Sequence, residues 1–285
     1  AASDVYKRQG VASASYVMNG DTIEGTHELG ALDQFYELDG NRKVTALSDV
    51  SVISKEKSKW PIIDGRDNAN SSLDWDMGGH SLTIDAKANG IRIDQSNTNV
   101  NIHNADNIEG TVDYHNFAAI ADGNGSAVNF QANNNITFNK NDTFTYNPIL
   151  ATVDNNQLSM KAGNDITLNK GSGIHMWSEG SLQMDSGNDI TFNEAGIDMW
   201  SESTLDMDAV KDITFDKAQA AVQNGATIQV DAGHDIVFHK TNAESDSSSL
   251  YVDNGGEATL HAKNDILFNR DQDGTFIELN YSDPV

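Results

Sequence analysis

From about residue 78 onward the chain alternates apolar and polar residues in short runs, each closed by a cluster of Gly, Asn and Asp. A period of two belongs to a strand, because successive side chains leave a pleated backbone on opposite faces. Residues 181–200 show the unit. Leu182 and Met184 share one face; Ser186, Gly187 and Asn188 turn the chain; Ile190 and Phe192 return to that face; after Glu194 to Gly196 come Ile197 and Met199. The preceding unit supplies Leu158, Met160, Ile166, Leu168, Ile174 and Met176 at matching places. The following ones supply Leu205, Met207, Ile213 and Phe215, then Ile228, Val230, Ile236 and Phe238, then Leu260, Ala262, Ile266 and Phe268. Ile136, Ile166, Ile190, Ile213, Ile236 and Ile266 mark the repeat, with spacings of 30, 24, 23, 23 and 30 residues. The basic period is thus about 23, with two insertions of about seven.

Six inward apolar side chains per unit fill an interior but cannot close a core alone, so the units must stack. Parallel pairing with neighbours above and below satisfies the backbone and turns every repeat position into a column, with about 4.8 Å between rungs. The pattern therefore predicts an all-β chain, a parallel β-helix (solenoid) with three short strands per coil and about 23 residues per coil. Weaker alternation runs upstream through Leu82 and Ile84, Ile91 and Ile93, Val100 and Ile102, and Val128 and Phe130. Residues 78–285 are read as the solenoid, about eight coils and roughly 40 Å long. Residues 15–77 carry Trp60, Trp75 and the basic cluster Lys55, Lys57 and Lys59, and are read as an N-terminal cap or irregular first coils. Nothing near Pro284 resembles a cap over open strand edges, so the expectation is a chain continuing beyond Val285.

Charge narrows the partners. Among 285 residues, 43 Asp and Glu outweigh 18 Lys and Arg, a formal charge of −25. A nucleic-acid partner is excluded on this balance, since a phosphate-tracking face needs a cationic surplus. There is no cysteine, which removes disulfides and thiol chemistry, and no apolar stretch is long enough for a membrane helix. Residues 4–9, DVYKRQ, resemble the translation of a transposon end used in sequencing libraries, so residues 1–9 are set apart from the fold. Residues 10–14 end in an A-x-A-like pattern that reads either as the tail of a signal peptide or as a small-residue strand.

The repeats AGNDITLNKGSGIHMW (162–177) and SGNDITFNEAGIDMW (186–200) resemble the passenger regions of autotransporter-type adhesins of Gram-negative bacteria. The resemblance covers about residues 78–285 and is one of repeat style. It implies a right-handed parallel β-helix, exported to the cell surface and linked to a C-terminal outer-membrane barrel that this sequence does not contain. It also implies a role in adhesion or cell contact, with surface glycans or proteins of a host or neighbouring cell as partners. Phe138 to Asn141 matches an F-x-x-N motif, while Gly255, Gly256, Glu257 and Ala258 break the companion G-G-A-[ILV] motif, so no subfamily is assigned.

Function would sit on the outward columns. Thr137, Thr167, Thr191 and Thr214, continued by Val237 and Leu267, form a β-branched face of the kind sheets favour. Asn139, Asn169, Asn193, Asp216, His239 and Asn269 read as an amide ladder. Asp165, Asp189, Asp212, Asp235 and Asp265 stack carboxylates that repel by roughly 0.9 kcal/mol per neighbour even in water. Bonds to turn amides, with Lys161, Lys211 and Lys263 nearby, offset that repulsion in one reading; Ca²⁺ shared along the corner does so in the other. The calcium nonapeptide Gly-Gly-x-Gly-x-Asp is missing, which favours the first.

Trp177 and Trp200 follow His175, Met176 and Asp198, Met199 at one repeat position, and alternation from the inward methionines turns both indoles outward. Exposed aromatics on a rigid face suit a sugar ring or a protein partner, so His175, Trp177, Asp198 and Trp200 are the candidate binding residues; an aromatic ladder that only shields its sheet is the plainer reading. An enzyme on the same scaffold, a polysaccharide lyase or hydrolase, is the alternative function. Lyase chemistry needs a base beside carboxylate-held Ca²⁺ and hydrolysis needs paired carboxylates. Only Arg42, Arg66, Arg92 and Arg270 lie outside the first nine residues, no Arg-x-Lys, Gly-His-Gly or Gly-x-Ser-x-Gly occurs, and the sequence reading is not an enzyme.

Overall fold

The computed structural model describes residues 22–58, 60–113, 116, 118–140, 148–239, 248–268 and, as backbone, 276–280. The readings of residues 1–9 and 10–14 lie outside the described residues, as do Lys59, Asn141, Asn269 and Arg270. Among the described residues every regular element is a strand, the strand pairings are parallel, and the strands form one sheet of eighteen and one of ten. Among these residues no helix is long and apolar enough to cross a membrane. The chain is a parallel β-solenoid.

Two stacks run side by side in the larger sheet. One contains Ala127–Ala132, Gln157–Ala162, Ser181–Ser186, Thr204–Ala209, Thr227–Ala232 and Glu257–Ala262; the other contains Ile136–Lys140, Ile166–Leu168, Ile190–Asn193, Ile213–Asp216, Ile236–His239 and Ile266–Phe268. The smaller sheet stacks Tyr36–Glu37, Ile63–Gly65, Ile91–Ile93, Ala119–Ala121, Pro148–Thr152, Gly173–Met176, Ile197–Met199, Gln219–Gln223, Ser249–Asp253 and Phe276–Asn280. Eight of these ten strands lie beyond Gly78. Both longer repeat spacings enclose segments, 141–147 and 240–247, outside the described residues.

Register puts like on like. Leu158, Leu182, Leu205 and Ile228 pair in succession, as do Met160, Met184, Met207 and Val230. Ile136 to Ile266 form a single column. Every inward residue from Leu158 to Phe238 named from the pattern is at most 3% exposed. Phe192, Phe215, Phe238 and Phe268 stack at centroid separations of 5.1, 4.8 and 4.9 Å with planes within 9°, the rung spacing imposed on parallel, offset rings. Ile266 and Phe268 are 41% and 37% exposed, because no described strand of the larger sheet stacks beyond theirs.

Residues 22–76 join the same two sheets. Asn41–Ser54 spans both stacks, pairing with Ser72–Asp76 and with Leu82–Ala86, and Thr22–Leu29 pairs along it. Trp75 is fully buried and stacks on Phe35 at 6.3 Å.

Turn chemistry explains the Asn, Asp and Gly content. The corner after the smaller sheet holds two consecutive residues of positive φ: Asp154 and Asn155, Ser178 and Glu179, Ser201 and Glu202, Asn224 and Gly225, Asn254 and Gly255. The four-residue turns close with N–H to carbonyl bonds such as Gly180 to Trp177 and Gly256 to Asp253. Two left-handed residues in succession define a type I′ turn, which Asn and Gly tolerate best.

Candidate functional site

Alternate residues of the smaller sheet point outward and make a strip of two columns along the rod. One column runs Glu37, Asp64, Arg92, Ile120, Ala151, His175, Asp198, Ala221 and Tyr251. Beside it lie Asp94, Asp122, Val153, Trp177 and Trp200, each backbone N–H bonded to a carbonyl of the strand before. All four candidate binding residues therefore occupy one face, on adjacent rungs.

They also touch. The His175 and Trp177 rings lie 3.5 Å apart at 39°, Asp198 Oδ2 is 3.3 Å from His175 Nε2, and Trp200 Nε1–H donates to Asp198 Oδ1. The His175–Asp198 pair lies off the line of a hydrogen bond, so Nε2 keeps no bonded partner and the contact is electrostatic. Burial lowers the imidazole pKa, against a smaller opposing pull from Asp198, and His175 is neutral near pH 7. Trp200 is 36% exposed and Trp177 is partly covered. Each indole is thus fixed within its own rung, one by an imidazole and one by a carboxylate, so the pair presents immobilised apolar area at little entropic cost on binding.

The turns beside the indoles carry strain. Ser178 and Glu179 after Trp177, and Ser201 and Glu202 after Trp200, adopt the left-handed conformation where equivalent turns use Asn-Gly or Asp-Asn. Each such residue costs roughly 1 kcal/mol. Glu179 and Glu202 are exposed there, in successive turns, so the aromatic pair is bordered by carboxylates.

At the other end of the strip, charges alternate. Arg66 grips buried Asp64 through Nε and Nη2 at 2.8 and 2.7 Å, Gln34 adds a bond to Asp64, and Arg92 Nε holds Asp94. Asp122, one rung beyond Asp94, has a raised pKa, chiefly by desolvation and then by Asp94. Glu37 is raised for the same first reason, followed by Asp67 and Asp64. Sequence reasoning missed this end, because Arg66 and Arg92 are 26 positions apart in the sequence and carry no motif; only stacking brings them together.

The acidic corner is a hydrogen-bonded ladder. Oδ1 of Asp165 accepts the N–H of Asp189, Asp189 that of Asp212, Asp212 that of Asp235, and Asp235 that of Asp265, at 2.9 to 3.2 Å. Asn107 and Asn135 extend it upstream, Asn107 Oδ1 accepting the N–H of Asn135 and Asn135 Oδ1 that of Asp165. These acceptors bond to amides of the next turn rather than to Lys161, Lys211 or Lys263, and one Asp per rung supplies an acceptor for an amide the turn leaves unpaired. The second ladder also forms: Asn169 Nδ2 donates to Asn139 at 2.8 Å and Asn193 Nδ2 to Asn169 at 3.4 Å. Each Oδ1 of the Asp column from Asp165 to Asp235 thus accepts one N–H of the next turn. Within that corner, one group of three potential metal ligands converges, Asp212, His234 and Asp235.

Comparison with protein-family models, curated proteins and solved structures finds no match for this chain.

Proposed function

We propose that the chain is part of a secreted, surface-displayed β-helical passenger, wound right-handed with three short strands per turn, that acts in adhesion or cell contact. The observation that carries this reading is the connected cluster Trp177–His175–Asp198–Trp200 on the outward side of the smaller sheet. Parallel crossovers are right-handed in nearly all sheets, which supports the hand. The strip offers fixed indoles to the apolar face of a sugar ring or a protein side chain. Its carboxylate border and the charge of −25 disfavour anionic partners by repulsion. The partner class is therefore neutral or cationic glycan or protein on a host or neighbouring cell.

A second reading, a polysaccharide hydrolase, rests on Asp94 and Asp122. They sit on adjacent rungs, about 4.8 Å apart along the stack, which suits the spacing of a retaining carboxylate pair. Arg92 Nε bonds Asp94 while desolvation raises the pKa of Asp122, an asymmetry of the kind that separates nucleophile from acid. Glu37 cannot join Asp122 in such a pair, since three rungs, about 14 Å, separate their levels. The binding reading is preferred because Asp122 is itself exposed, whereas a carboxyl held protonated for acid catalysis is normally sheltered.

One experiment weighs both. The chain is applied to an array of neutral, cationic and anionic polysaccharides and to cell surfaces, and the supernatants are assayed for new reducing ends. Binding without turnover, lost on combining Trp177→Ala with Trp200→Ala while the unfolding temperature stays within a few degrees, is the expected result. Binding unchanged in the double variant removes the site. Turnover abolished by Asp122→Asn establishes the hydrolase instead.

A further inference from the structure

The Asn-Asp corner departs from Asn at two turns, where Lys211 and His234 stand in the column of Asn164, Asn188 and Asn264. In three turns an Asn amide bridges two rungs: Asn164 Nδ2 donates to Asn135 Oδ1 and Asp165 Oδ2 at 2.9 and 3.0 Å, Asn188 Nδ2 to Asp165 Oδ1 and Asp189 Oδ2 at 2.7 and 3.1 Å, and Asn264 Nδ2 to Asp235 Oδ1 and Asp265 Oδ2 at 2.8 and 3.3 Å. At residue 234 an imidazole takes the amide's place. His234 Nδ1 lies 2.9 Å from Asp212 Oδ1 and 3.2 Å from Asp235 Oδ2. An amide nitrogen has no lone pair to give a metal; an imidazole nitrogen has one as soon as it sheds its proton.

We propose that Asp212, His234 and Asp235 form a binding site for a divalent first-row transition ion of the Zn²⁺ or Ni²⁺ type, with Oδ1, Nδ1 and Oδ2 as its three protein ligands. The three atoms lie within 4.8 Å of one another. A tetrahedral ion with bonds of about 2.0 to 2.1 Å holds neighbouring ligand atoms about 3.3 Å apart. The observed 2.9 and 3.2 Å need to widen by only a few tenths of an ångström as the ion replaces the shared proton.

Both carboxylates are already aimed. The N–H of Asp235 holds Asp212 Oδ1 at 2.9 Å, and the N–H of Asp265 together with Asn264 Nδ2 holds Asp235 Oδ1, leaving its Oδ2 to face the imidazole. Outer partners of this kind orient ligands and raise affinity. The His234 side chain is 57% exposed and that of Asp212 37%, so the remaining coordination positions open to water. Ca²⁺ seeks six to eight oxygens, and one nitrogen with two carboxylate oxygens selects against it.

The test is calorimetric titration of the whole chain with Zn²⁺ alone, and separately with Ni²⁺, repeated on His234→Asn and Asp212→Asn. Both variants install a residue that the corner already carries elsewhere, Asn188 for the first position and Asn135 for the second, so the ladder and the thermal transition persist. The expected result is one saturable site whose affinity falls by about tenfold or more in each variant and which excess Ca²⁺ leaves occupied. Equal binding by the wild type and His234→Asn, absence of saturable binding, or displacement by Ca²⁺ would each overturn the proposal.

Discussion

Single residues in this molecule act along the rod axis more than along the chain. Glu194 is the clearest case. It follows Asn193 at a corner where the neighbouring turns carry Lys170 and Lys217, and both ammonium groups reach it, at 2.6 and 3.0 Å. Bonds to Lys170 first and Lys217 second hold its carboxyl below the usual range. A depressed folded-state pKa adds stability above the unfolded value of 4.5, and that increment is lost as pH falls through the folded value. Glu194→Gln should therefore lower stability by about 1 kcal/mol or less at pH 7. In urea unfolding the gap between variant and wild type should close in acid. A gap that persists in acid would assign the effect to packing instead of charge.

At the scale of elements, what stabilises a strand is the identity of its neighbours above and below. Phe215 is sandwiched between Phe192 and Phe238 with nearly coplanar rings and is 2% exposed. Truncating it to Ala opens a cavity in the middle of a stack and should cost about 3 to 5 kcal/mol. Phe215→Leu should cost distinctly less, because Leu168 already fills this column between Phe138 and Phe192. Denaturant midpoints of the two variants check the order, and equal losses would mean that ring stacking itself, not filled volume, holds the column. Gly110 shows the same dependence from below: a Cβ there would come within 2.6 Å of the Phe138 ring on the next rung, so the glycine makes room for the start of the aromatic column.

For the whole molecule, contacts between neighbouring turns dominate, and stability is close to a sum over turns and their interfaces. Ala209 pairs with Ala232, 23 positions later, in the same column. Deleting residues 210–232 joins two equivalent points and restacks Phe192 on Phe238 and Asp189 under Asp235. The shortened chain should fold, with an unchanged β-type circular dichroism spectrum per residue and a lower denaturant midpoint. Deleting residues 210–221 alone leaves strands without matching columns and should abolish the cooperative transition. Folding of both deletions alike would contradict nearest-neighbour stacking as the source of register.

The sequence alone determined the strand alternation, the period near 23, the inward columns from Leu158 to Phe238 and the outward placing of Trp177 and Trp200, because each follows from local spacing and from the need of every unit to bury the same face. It also pointed to the Asn and Asp ladders, since identical residues at one period must stack. Contacts between turns were decided only by the tertiary structure. That His175 reaches Asp198, that Arg92 stands beside Asp94 one rung from Asp122, and that His234 enters the place of a bridging amide all depend on side-chain direction and on which atom accepts which proton. Spacing fixes that two residues share a column; rotamers, backbone φ and competing hydrogen bonds fix whether they meet. The acceptors of the Asp column illustrate the difference: lysines lay near it in sequence, but the amide of the next turn was nearer in space and had no other partner.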